Sequence, residues 1–179
     1  MNSVSHTNTG TGEDQNFMEF VQGYTQQKQS DWKDGYYPAD VVINAYEQGK
    51  KDGQKPLSDL IDSLVTRFTS KAVQAYTYAR LLVSHLSHNN FQVEGFFVNI
   101  EKKTPNVIVV VNNQTLLNDE FVEIAYSKIA EYVKGYRNQF SEMFDMGLIG
   151  SDNLDQDLLY QDGYKYNEQA KKDTSRSPQ

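Results

Sequence analysis

The chain has no cysteine in its 179 residues. That excludes a disulfide scaffold, thiolate nucleophiles and thiolate zinc sites, and it leaves the redox compartment open. Nor does any stretch approach the roughly 20 consecutive apolar residues needed to span a bilayer, so no membrane insertion is expected. Met1-Asn2-Ser3-Val4-Ser5-His6 shows no basic end followed by an apolar run, which makes a soluble, cytoplasmic protein the expectation. A basic face is missing as well. The formal charge is −7, and the adjacent basic pairs are confined to Lys50-Lys51, Lys102-Lys103 and Lys171-Lys172. Residues 1–55 hold five Lys/Arg against eight Asp/Glu, residues 56–140 eight against eight, and residues 141–179 four against eight. The acidic excess therefore lies in the flanks, and electrostatic binding to nucleic acid is not expected.

What is present is organised around Phe91–Asn113, which reads as a β-hairpin turning at Thr104-Pro105-Asn106. Its second arm, Val107-Ile108-Val109-Val110-Val111, is apolar at five successive positions. Side chains alternate across a strand, so both faces of this arm require cover. On the first arm Phe96, Val98 and Ile100 share one face, with Val93, Gly95 and Phe97 on the other.

Helical spacing brackets the hairpin. Leu57, Leu60, Ile61, Leu64, Phe68, Ala72, Ala75, Ala79, Leu82 and Leu86 advance by threes and fours, predicting a long amphipathic helix from Pro56 to His88, with a break admissible at Thr69-Ser70. Asn118 is placed to cap a second helix reaching about Phe140, with Asp119 and Glu120 complementing its dipole. Phe17, Phe20, Val21 and Tyr24 predict a short helix fading at Gln26, and Pro38 opens another that ends near Asp52-Gly53. Ser151 is the expected cap of a weaker segment carrying Leu154, Leu158 and Leu159.

The expected fold class is therefore α+β. A long helix, hairpin and helix form the core, joined by short N-terminal helices and a docked C-terminal segment in two or three layers. Residues 1–15 read as a disordered arm, 16–164 as a single domain and 165–179 as a disordered tail.

Several residue sets invite a chemical role. His85 and His88 stand three apart at a helix end and could face one metal, but no HExxH pattern accompanies them. Glu101-Lys102-Lys103 resembles the Glu-x-Lys fragment of metal-dependent nucleases in that tripeptide alone, and regular alternation puts Glu94 on the opposite side from Glu101 unless a bulge at Gly95 corrects the parity. Asp152, Asp155 and Asp157 lack the alternate-position donors and sixth-position glycine of an EF-hand loop. No metal and no cofactor is assigned. Nucleophile elbows, phosphate-cradling loops and dinucleotide fingerprints are also missing, which lowers the enzyme reading without removing it.

Asn112, Asn113 and Gln114 leave the second strand roughly opposite Phe96, Gly95 and Glu94. If a ligand site exists, this open end of the hairpin is its expected place, with His85, His88, Glu94, Asn112 and Asn113 as its candidate groups. Amides at strand exits more often cap turns. The favoured function is a non-enzymatic protein-interaction module, such as an adaptor, chaperone-like or assembly component. Twelve tyrosines and surplus apolar strand surface motivate it, with Phe97, Val109, Val111, Tyr132 and Tyr136 as interface candidates and a protein partner or homodimer as the cover. The alternative is a small-ligand-binding or metal-assisted catalytic domain at the hairpin mouth.

Overall fold

The computed structural model describes residues 12–33, 57–102, 104–152 and 154–170. Contacts divide the chain into two compact units, Met1–Thr69 and Ser70–Gln179. In the first, helix α1 spans Gly12–Lys33 with Glu13 and Asp14 in its opening turn, where negative charge suits the helix dipole. It starts inside the expected 1–15 arm, whose first eleven residues lie outside the described ones. It also runs well past Gln26. Gln, Lys and Asp tolerate helix geometry, and no glycine or proline interrupts the chain between Gly23 and Lys33. Phe17 and Val21 are buried, and Tyr24 stacks on Phe68 with ring centroids 5.4 Å apart. The helix expected after Pro38 and the turns at Asp34-Gly35 and Asp52-Gly53 fall outside the described residues.

Helix α2, Leu57–His88, passes through Thr69-Ser70 without a break. Within the second unit its buried residues are Ala72, Ala75, Ala79, Leu82 and Leu86 of the predicted stripe, joined by Tyr76. The helix stops where Asn90 adopts a left-handed φ of 64°, letting the Phe91 amide donate back to the Leu86 carbonyl at 3.0 Å. The hairpin follows as β1, Val93–Asn99, and β2, Asn106–Val111, paired antiparallel.

After β2 come a one-turn helix α3, Asn113–Leu116, and helix α4, Asp119–Phe140. Asn118 caps α4 as its sequence position predicts, its side chain accepting from the Phe121 amide at 3.0 Å. Strand β3, Asp145–Gly150, then runs parallel to β2. Helix α5, Gln156–Gln161, leads to β4, Tyr166–Gln169, which pairs antiparallel with β1 inside the stretch expected to be a disordered tail. The four strands lie in the order β3-β2-β1-β4. The fold is α+β with a mixed sheet.

Register assigns the two faces. Phe96 opposes Val109 and Val98 opposes Val107, so these four share the face that meets the helices. There Tyr76 of α2 packs against Phe96 at 5.8 Å and Tyr166 at 5.9 Å. Tyr136 of α4 stacks on Phe144 at 4.8 Å, while Tyr78 stacks on Tyr132 at the same distance. The other face carries Phe97, Ile108, Val110 and Ile149, and it is covered by Leu154, Leu159 and Tyr164 of the same chain. Fully burying one such side chain contributes about 1.5–3 kcal/mol, so leaving this face open would forfeit a large part of a domain's net stability. The C-terminal segment forms the third layer, and the strand surplus that motivated a homodimer is already covered.

A polar clamp ties β4 to α2. Tyr76 donates its hydroxyl hydrogen to Glu168 Oε2 at 2.8 Å, and Arg80 lies 3.8 Å from Oε1 of the same carboxylate. Burial, reinforced by the Glu168 carboxylate, pushes the Tyr76 phenol well above its ordinary range. Burial raises Tyr132 and Tyr164 too. A phenol that stays protonated in the folded state but ionises when unfolded contributes stability that is complete below the unfolded tyrosine pKa, near 10, and is lost as pH climbs beyond it. Melting temperature is therefore expected to fall steadily above about pH 10. Tyr76→Phe should remove part of that slope and cost about 1.5 kcal/mol at neutral pH. An unchanged alkaline slope in this variant would rule out the clamp as its source.

Candidate functional site

The open end of the hairpin holds a cleft of about 1480 Å³. Its apolar floor includes Phe91, Phe97, Val110 and Leu154, and its polar edge includes Gln92, Glu94, Gln156, Asn167 and Gln169. Three local features build it. The Asn90 turn carries Phe91 and Gln92 off the end of α2, and Leu154 and Gln156 come from the segment laid over the second sheet face. The third feature is a bulge in β1. Val93 opposes Val111 and Gly95 opposes Val110, so Glu94 is the extra residue. A bulge bends its strand and re-aims the side chain it carries.

Glu94 is exposed, and its Oε1 accepts a 2.8 Å hydrogen bond from the Ser151 hydroxyl just beyond β3. The Ser151 amide donates to the Val111 carbonyl at 2.9 Å, which fixes Ser151 against the sheet. On the other side the Ala170 amide donates to the Glu94 carbonyl at 2.9 Å. Among the described residues lining the cleft there is no lysine, arginine or histidine, and the carboxylates are Glu94 and Glu168. Glu168 is engaged by Tyr76 and Arg80, whereas Glu94 makes no ion pair among the described residues.

Of the five groups expected at a ligand site, Glu94 alone lines this cleft. His88 Nδ1 lies 2.7 Å from the Ser84 carbonyl, so that ring nitrogen donates back into its own helix. His85 is half-buried, and its carbonyl accepts from Asn89 at the helix end. Among the described residues no three His, Asp or Glu side chains gather as a metal site. Asn112 caps α3, accepting from the Thr115 amide at 2.7 Å and the Thr115 hydroxyl at 2.9 Å. Asn113 fits its carboxamide against Gly150, where a side chain would collide with it. These asparagines do not lie opposite Phe96 and Gly95, because the connection between β1 and β2 is six residues long and Val111 is already level with Val93.

The expected interface residues are core residues. Val109, Val111 and Tyr136 have no exposed surface, Phe97 is 7% exposed, and Tyr132 is half-buried under Tyr78. Helix packing on one sheet face and the C-terminal segment on the other remove them from solvent. Glu101 pairs with Lys165 at 2.7 Å and does not converge with Glu94. Asp155, not Ser151, caps α5, accepting from the Leu158 amide at 3.0 Å. Gln92, Ser151, Gln156, Asn167 and Gln169 carry no motif that would have marked them.

Among the described residues no helix is long and apolar enough to cross a membrane. No protein-family model, curated protein or solved structure matches the chain.

Proposed function

We propose that the protein is a non-enzymatic interaction module that holds an extended peptide segment of a partner in the cleft at the open end of the hairpin. The observation that carries this reading is the cleft's size together with its lining. Its volume of about 1480 Å³ exceeds the roughly 300–1,000 Å³ of sites for drug-sized molecules. The half-buried Phe91 and Leu154 offer apolar surface for side-chain anchors, and an edge of glutamine and asparagine amides can both donate to and accept from a peptide backbone. An adaptor or assembly role follows from such binding, with the cleft replacing the strand and tyrosine surface that the fold consumes.

Panning a displayed library of random peptides against the intact chain tests the reading. Recovered peptides should share a sequence pattern and lose at least about tenfold in affinity when the cleft is filled by Gln92→Trp or Gln156→Trp. Failure to enrich any pattern, or binding indifferent to both tryptophans, would reject it.

A further inference from the structure

Among the described residues that line it, the proposed cleft is one-sided in charge, and a bulge sets where that charge sits. Strand alternation alone would have dictated where Glu94 points, but the bulge makes it the additional residue between Val93 and Gly95. The Ser151 hydroxyl holds one carboxylate oxygen at 2.8 Å, leaving the second available. Among the described lining residues no cation opposes it, and the neighbouring carboxylate of Glu168 is already compensated by Arg80 and Tyr76. A carboxylate at the edge of an apolar-floored cleft favours an amine or guanidinium and repels phosphates and carboxylates.

We infer that the cleft selects a lysine- or arginine-bearing peptide segment, with Glu94 as the residue that recognises the cation and Ser151 as the residue that positions Glu94. This rests on the peptide-binding reading and adds a substrate class to it. The aliphatic part of a lysine or arginine can lie on the half-buried Phe91 while its charged end reaches Glu94, the usual disposition of a long cationic side chain on apolar surface.

The test uses three labelled octapeptide pools, randomised alike except for a fixed central lysine, norleucine or glutamate. On the full chain at about 50 mM salt, where screening is weak, the lysine pool should bind about tenfold more tightly than the norleucine pool, and the glutamate pool least. Glu94→Gln should abolish the lysine advantage over norleucine. Ser151→Ala should reduce that ratio, which a merely structural role for the serine would not change. Glu94→Lys should transfer the preference to the glutamate pool. Lysine and norleucine pools that bind equally, yet both lose affinity with Gln92→Trp, would overturn charge selection and leave peptide binding standing. Pools that all fail to bind would overturn both.

Discussion

Asn99→Ala is expected to lower the stability of the second unit by about 3 kcal/mol, a fall of roughly 10 °C in melting temperature. Asn99 has no exposed surface, and it is the polar residue buried most completely among those described. Its Nδ2 donates to the Asp162 carbonyl at 2.8 Å, and its Oδ1 accepts from the Glu101 amide at 2.9 Å. Alanine would leave both backbone groups without these partners and open a small void, and each stranded group costs about 1–3 kcal/mol. Gly163 shows how closely the segment is fitted. Its φ of +94° favours glycine, and a side chain there would sit 2.9 Å from Asn99 Nδ2. The loss should be felt first in the segment that Asn99 anchors. Hydrogen exchange at the Gly163 and Tyr164 amides, bonded to the Tyr160 and Leu159 carbonyls, should accelerate before exchange at the β1–β2 ladder. Equal acceleration in both places would show that Asn99 supports the sheet and not the covering layer.

The elements with strong local signals were legible from residues alone. The long helix from Leu57, the cap at Asn118 and the hairpin each arise from short-range spacing or from one side chain meeting a nearby amide. The need to cover both faces of Val107–Val111 was legible too, because alternation imposes it. A docked C-terminal segment carrying Leu154 and Leu159 was expected, but which surface it would cover was not legible. Leu154, Leu159 and Tyr164 are three apolar positions in a polar stretch, and only the tertiary fold shows that they meet Phe97 and Val110. Strand β4, Tyr166-Asn167-Glu168-Gln169, resembles a polar tail because its place comes from backbone pairing with β1 and from the Glu168–Tyr76 bond across 92 positions of sequence. Ser151 and Asp155 are both good capping residues, and the choice falls to Asp155 while the Ser151 hydroxyl bonds Glu94. At the site, the location was readable but its membership was not. Asn112 went to a helix cap, and the bulge that sets Glu94 has no signal beyond the glycine beside it.

That glycine gives the second large expected effect. Gly95→Ala should destabilise the second unit by about 3 kcal/mol, whereas Gly147→Ala should stay within about 0.5 kcal/mol of the parent. Both glycines occupy strands of the same sheet, so loss of glycine's unfolded-state freedom acts similarly on each, and the difference isolates packing. A side chain at Gly147 would meet nothing within 4 Å. At Gly95 the added carbon collides with the Glu168 carbonyl oxygen and comes within 3.1 Å of Gln169 Cα. These are backbone atoms and cannot swing aside, so β4 must move away from β1. Such movement would pull Glu168 off Tyr76 and break the Ala170-to-Glu94 hydrogen bond that borders the cleft. A double-mutant cycle measures the connection. Tyr76→Phe should cost about 1.5 kcal/mol in the parent and close to nothing in the Gly95→Ala background, because the bond it removes is already broken there. Additive costs would mean that β4 keeps its hold on α2 despite the alanine, so that bulge, clamp and cleft edge are independent features and not one coupled structure.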